Sequence, residues 1–334
     1  MLDAAAVKAT MRAAAAYQLG ALGGQACADW VHSVFYIGLT AAGVATGEAA
    51  FLEPARRWAE AARWQVNAEG RGGARGPRFA DNQACTQVYL DLYLRDPAPA
   101  SAFMIAGARA VFDAMVAAPQ PGRQEWWWCD ALFMAPPALA RLGLATSDGK
   151  YRALMDTMFE DTRSFLQAPA ERLFYRDATF LGSGQFWGRG NGWVMAGIVR
   201  VLEALPAGGG GVDVDRYVRL LRELAAAVVP LQGADGLWRS DLRRPDSSAH
   251  GETSGSALIT CALAAGVQRG WLEGDAYLPV VRRAWEGLRA SLDGEGRLGW
   301  VQPVGHAPGS AGEGDAAPYG AGALLLAGAA LLGL

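Results

Sequence analysis

Histidine and cysteine are scarce in this chain of 334 residues, with three of the first and four of the second. Cys27, Cys85, Cys129 and Cys261 lie far apart, with no CxxC pair and no histidine at metal-ligand spacing. That argues against a zinc site and a disulfide framework, and reads as four reduced thiols. No residue cluster demands a metal or an organic cofactor, so neither is expected. An excess of one charge is also missing: 30 basic and 33 acidic residues are well mixed and give a net charge of -3. Without a polybasic tract, nucleic acid and anionic membrane surfaces are excluded as partners. Long apolar runs are lacking too. The first 23 residues carry Asp3, Lys8 and Arg12 among alanines, unlike a secretory leader, and the apolar stretch 321–334 is too short to span a bilayer. The expectation is a cytoplasmic protein, or a periplasmic one if a leader has been removed, with a buried C-terminal helix. The oligomeric state stays open. Finally, the period-two alternation of half-buried strands is nearly absent, and the Gly-rich pieces 235–238 and 294–301 are at most small hairpins, which argues against a β-rich fold.

What the chain does have is an alternation of two kinds of helical segment. One kind is amphipathic. In 151–166, Tyr151, Leu154, Met155, Met158, Phe159, Phe165 and Leu166 share one face. The same stripe runs through 215–229 (Tyr217, Leu220, Leu221, Leu224, Val228) and 277–288 (Leu278, Val281, Trp285, Leu288), with weaker versions at 3–22, 51–66 and 99–117. The other kind is apolar nearly all round and rich in Ala and Gly, as a helix enclosed by helices should be. It occurs at 30–46, 81–95, 129–144, 191–204, 252–268 and 318–334. Gly-rich stretches at 70–77, 207–211 and 305–314 read as loops, because the alternation continues across each of them. Six outer and six inner helices predict an all-α fold, an (α/α)6 barrel of six helical hairpins formed by residues 1–334 as a single domain.

The segments that enter the inner helices collect the polar residues. They read Asp29-Trp30-Val31-His32, Asp81-Asn82-Gln83, Trp126-Trp127-Trp128-Cys129-Asp130, Trp187-Gly188-Arg189-Gly190-Asn191-Gly192-Trp193, His250-Gly251-Glu252-Thr253-Ser254 and Pro318-Tyr319. Parallel inner helices bring all six entries to one mouth. Tryptophan faces stack on the apolar faces of sugars while carboxylates and guanidinium groups hold hydroxyls and carboxylates. Helix N-termini favour an anionic ligand such as a uronate. Asp81 and the Thr253/Ser254 pair are also readable as N-caps. Trp126 and Trp127 are equally readable as core, and His32, His250 and His306 as structural. Asp130 follows three tryptophans and precedes Ala131, Leu132, Phe133 and Met134, so its carboxyl is expected to be partly desolvated and kept protonated.

At Trp128-Cys129-Asp130-Ala131-Leu132-Phe133-Met134-Ala135-Pro136 and Phe186-Trp187-Gly188-Arg189-Gly190-Asn191-Gly192-Trp193 the chain resembles glycoside hydrolase family 105. These are the unsaturated rhamnogalacturonyl hydrolases, related to the family 88 unsaturated glucuronyl hydrolases. The likeness continues through Asp29-Trp30, Asp81-Asn82-Gln83-Ala84, Glu252-Thr253-Ser254-Gly255-Ser256-Ala257 and Tyr319-Gly320-Ala321-Gly322-Ala323, and so covers nearly the whole chain. The resemblance implies an unsaturated uronic-acid oligosaccharide as substrate and hydration of the C4=C5 bond that a polysaccharide lyase leaves on a terminal galacturonyl or glucuronyl residue. It implies Asp130 as general acid/base, and Asp81 as a second catalytic aspartate that orients ring or water and supports the raised pKa of Asp130. Arg189 and Trp193 match family residues that hold the sugar near its carboxylate, and Trp30 and Trp128 would be stacking walls. Where many members have a histidine before the Arg-bearing motif, this chain reads Leu173-Phe174-Tyr175-Arg176-Asp177, so Arg176 is a candidate for the same subsite. The aglycone sugar and the parent polysaccharide stay open.

Two other enzymes fit such a barrel. An N-acylglucosamine 2-epimerase type would use paired histidines, for which His32 and His250 are the candidates. An ordinary inverting glycosidase would use Asp81 and Asp130 about 6.5 to 9.5 Å apart. A sugar-binding barrel without catalysis is a third reading.

Overall fold

A computed structural model describes residues 3–69 and 76–334. The predicted loop 70–77 therefore falls mostly outside the described residues. Twelve helices of ten residues or more run through the described chain. The outer series is α1 (Ala4–Leu22), α3 (Ala49–Ala61), α5 (Phe103–Ala117), α7 (Gly149–Leu166), α9 (Val214–Val228) and α11 (Gly274–Ala290). Alternating with it are the inner helices α2 (Trp30–Thr46), α4 (Cys85–Arg95), α6 (Pro136–Ala145), α8 (Gly188–Ala204), α10 (Thr253–Gln268) and α12 (Pro318–Leu331). Among the described residues β pairing is confined to isolated bridges, including one between Leu292 and Leu298, which starts just before the 294–301 segment read as at most a small hairpin.

Burial follows the sequence pattern. On α9 only the face of Tyr217, Val218, Leu220, Leu221, Leu224, Ala225 and Val228 is buried. On α8, by contrast, every residue from Gly188 to Leu202 is buried. Inner helices contact one another in a closed cycle, α2 to α4, α6, α8, α10, α12 and back to α2. Their C-terminal halves, Ala41 to Ala45, Asp91 to Arg95, Arg141, Val199 to Glu203, Cys261 to Gln268 and Leu326 to Ala330, all border one cavity of about 400 Å³. The six inner helices therefore run in one direction, and the fold is the expected (α/α)6 barrel.

The apolar stretch 321–334 is the buried helix α12, and no described helix is long and apolar enough to cross a membrane. It meets α2 backbone to backbone. A Cβ added to Gly38 would lie 2.3 Å from Gly322 O, and one added to Gly322 would lie 2.3 Å from Val34 O, so only glycine fits at this crossing.

Two inner helices depart from prediction in a way that shapes the mouth. Residues 129–144 were expected to be one helix, but a short helix Ala131–Met134 is separated from α6 at Ala135. Pro136 and Pro137 explain this, since proline has no N–H to continue the ladder and suits the first turn of a helix. Residues 81–95 likewise divide into Ala80–Gln83 and α4. Each short helix carries an aspartate at the mouth.

Candidate active site

Asp130 is the residue that opens the short helix Ala131–Met134, and its side chain makes no capping hydrogen bond. At the short helix that holds Asp81, Phe79 and not Asp81 occupies the N-cap position. At α10 the capping residue is Glu252 rather than Thr253 or Ser254, its carboxylate accepting from Ser254 N–H at 2.9 Å and Gly255 N–H at 2.7 Å.

The two aspartates line a cavity of about 140 Å³ together with Trp30, Phe79, Trp127, Trp128, Met134, Arg176, Val304, Gly305 and His306. This is far below the roughly 300–1,000 Å³ of a pocket for a drug-sized ligand, a size that suits a single ring rather than a longer molecule. The larger cavity at the opposite barrel end is a poorer candidate because its central charges, Asp91, Arg141 and Arg200, are already bonded to one another. Aromatic walls surround the smaller cavity. Trp128 stacks on Phe79 at 4.8 Å between ring centres and leans on Trp127 at 4.7 Å. Trp30 packs against Tyr319 at 5.0 Å and edge-on to Trp193 at 6.3 Å.

Arg176 reaches Asp130 through backbone pairing. Trp128 bridges to Asp177, and Cys129 N–H donates to Arg176 O at 2.8 Å, which lays the two segments side by side. The guanidinium sits over Trp127 with its carbon 5.0 Å from the ring centre, and Nη1 donates to Asp177 Oδ2. Arg176 Nε–H is buried without a protein acceptor.

Burial pushes the Asp130 carboxyl above the usual carboxylate range, while Arg176, the Cys129 thiol and Arg189 pull it back. The Cys129 thiol donates to Oδ1 at 3.2 Å. The side chain keeps some surface toward the cavity, but the carboxyl itself is enclosed, and enclosure is the larger influence. Desolvation is thus the first cause of the rise.

Four residues named from the sequence do not border the cavity. Arg189 is 1% exposed, sandwiched between Trp187 at 4.6 Å and Tyr319 at 5.0 Å, and donates to Gln302 O and, at 3.0 Å, to Pro303 O. Trp193 is buried between Trp30 and Phe133. His32, 7% exposed, has Nδ1 2.6 Å from Asp29 Oδ1. His250 stacks on Trp300 at 4.2 Å, with Nδ1 2.7 Å from Gly251 O. A paired-histidine epimerase site is therefore not assembled in the cavity.

Arg189 instead belongs to a clamp that sequence reading missed. Gln302 N–H donates to Glu252 at 3.0 Å, its carbonyl accepts from Arg189 and from Tyr319 Oη at 2.6 Å, and its side-chain oxygen accepts from Trp187 Nε1 at 2.9 Å and Ser240 Oγ at 2.6 Å. Its amide donates to Ala307 O at 2.8 Å. Everything that holds Gln302 fixes the base of the loop whose next residues, Val304, Gly305 and His306, form one wall of the cavity. Arg189→Met keeps bulk and removes the donors. It should cost about 1–3 kcal/mol in urea unfolding and lower kcat/KM by about 10-fold or more through misplacement of that wall, measured by steady-state kinetics.

The model of Glycosyl Hydrolase Family 88 matches residues 4–333. The chain belongs to that family. Among curated relatives, the hydrolase is 32% identical over 332 residues to the unsaturated 3S-rhamnoglycuronyl hydrolase of Formosa agariphila, covering 92% of this chain and 85% of that one. It is 34% identical over 329 residues to the enzyme of the same name from Alteromonas sp. (strain LOR), covering 91% and 77%. A solved structure of a family 88 glycosyl hydrolase from Bacteroides vulgatus superposes with a TM-score of 0.90 at 27% identity, over 99% of both chains. This agrees with the sequence resemblance to families 105 and 88, and the protein is a glycoside hydrolase of the unsaturated glycuronyl type.

Proposed function

We propose that Asp130 delivers the proton that starts the reaction, with the whole chain serving as one catalytic domain. The hydrolase removes terminal unsaturated uronate residues. In such a residue the ring oxygen makes C4=C5 an electron-rich enol ether. Protonation at C4 leaves an oxocarbenium-like centre at C5, water adds there, and the resulting hemiketal opens and releases the neighbouring sugar. One carboxyl serves for both halves, giving its proton to C4 and then taking one from the water. The observation that carries this assignment is the enclosed Asp130 carboxyl with its pKa raised by burial, in the cavity that also holds Asp81 and Arg176.

In this reading Asp81 orients the attacking water or a ring hydroxyl. Arg176, with an unused buried Nε–H over Trp127, takes the uronate carboxylate. Trp30 and Trp128 wall the ring. The two relatives described above are unsaturated 3S-rhamnoglycuronyl hydrolases, and a rhamnoglycuronyl disaccharide left by a lyase is the substrate we propose.

Turnover of such a disaccharide is followed by loss of the ultraviolet absorbance of the conjugated uronate. The protonated form of Asp130 is the active one, so kcat/KM should fall as pH rises through its pKa. Because burial raises that pKa, the alkaline limb should lie above the value of about 3.9 of an ordinary aspartate. A limb that tracks an ordinary aspartate, or no absorbance loss on any lyase product, overturns the assignment.

A further inference from the structure

We infer that Cys27, Asp29 and His32 form a binding site for a soft divalent cation of the Zn²⁺ class, outside the sugar cavity. The thiol sulfur, a carboxylate oxygen and a ring nitrogen of these residues all lie within 4.8 Å of one another. The spacing Cys-x-Asp-x-x-His matches no zinc-finger pattern. The turn into α2 brings it together: Asp29 is the N-cap, in extended backbone geometry, and its Oδ1 accepts from His32 N–H at 3.0 Å.

Sulfur, nitrogen and carboxylate oxygen are the donors that Zn²⁺ takes, whereas Mg²⁺ and Ca²⁺ need oxygen throughout. Asp29 Oδ1 lies 2.6 Å from His32 Nδ1. That contact serves either as two adjacent ligands or as the outer carboxylate that orients a metal-bound imidazole. The backbone beneath is fixed. Cys27 O accepts from Trp58 Nε1 at 3.0 Å, Asp29 O from Ser33 N–H at 2.8 Å, and Ala28 O from Ser33 Oγ at 3.1 Å. Cys27 is exposed, which gives an ion its entry path, while Asp29 and His32 are buried. Cys85, Cys129 and Cys261 are all buried with thiol pKa values raised chiefly by burial, so Cys27 is the cysteine a metal in solution meets. None of the three ligands borders the sugar cavity, although Trp30 of the same turn does.

Titration of the full chain with Co²⁺ reads the site directly, because only a cysteine ligand gives thiolate-to-cobalt absorption in the near ultraviolet. The expected result is saturation at one equivalent per chain and reversal by Zn²⁺. Cys27→Ser should lose that absorption while keeping hydrolase activity. Asp29→Asn, which preserves the cap, should weaken affinity by about 10- to 100-fold. Zn²⁺ should also raise the thermal midpoint of the unmodified chain and leave that of Cys27→Ser unchanged. Absence of thiolate absorption in the unmodified chain, its persistence in Cys27→Ser, or equal affinity in Asp29→Asn overturns the proposal.

Discussion

Asp130→Asn should lower kcat on a lyase-generated unsaturated disaccharide by about 10²- to 10⁴-fold, the usual weight of a general acid/base, while the folded protein becomes no less stable at neutral pH. The second half follows from linkage. Burial raises the folded-state pKa of Asp130 above its unfolded value. The native state then holds the proton more tightly, so this residue favours folding below the unfolded pKa, and that contribution is lost as pH rises through the folded pKa. Asparagine has the same shape and no charge to desolvate. The thermal midpoint of the variant should therefore match the unmodified chain in acid and equal or exceed it at neutral pH. A large loss of stability together with the loss of turnover would point to a structural aspartate.

A second large effect is expected at the opposite end of the barrel. Asp91 on α4 accepts from Arg141 Nε of α6 at 2.5 Å and from Arg200 Nη2 of α8 at 2.9 Å, so one carboxylate ties three inner helices. Arg141 and Arg200 are only 6% and 4% exposed. Asp91→Ala leaves both guanidinium groups without their shared counter-charge and should cost about 3–5 kcal/mol in urea unfolding at neutral pH. Burial pushes the Asp91 pKa up, but the two arginines more than offset this and hold it below the ordinary range. The stabilisation is therefore present above the unfolded pKa and disappears as pH falls through the folded value. The gap in stability between the unmodified chain and the variant should close on acidification. Because Asp91 lies away from the sugar cavity, folded Asp91→Ala should retain its KM.

Periodicity made the architecture legible. Apolar stripes gave the outer helices, all-round apolarity gave the inner ones, and the strict alternation gave the barrel. The helix breaks before α4 and α6 escaped that reading, although Pro136 and Pro137 were signals for the second. In the cavity, Trp30, Asp81, Trp128, Asp130 and Arg176 could be listed in advance because each lies in or beside an inner-helix entry or a recognisable motif. His306 could not be assigned there, because it sits in a Gly-rich loop whose course is fixed by Gln302, more than a hundred residues from the Trp187 and Arg189 that hold it. Arg189 itself shows the converse difficulty. A motif names an arginine, but whether its guanidinium faces the ligand or the neighbouring carbonyls is a matter of tertiary packing.

Proton delivery to C4 of an unsaturated uronate is most directly tested by running the reaction in deuterium oxide and analysing the released uronate by NMR. One deuterium at C4, on a single face, is the predicted result. A released uronate with the C4=C5 bond intact, or a C4 without deuterium, would contradict it.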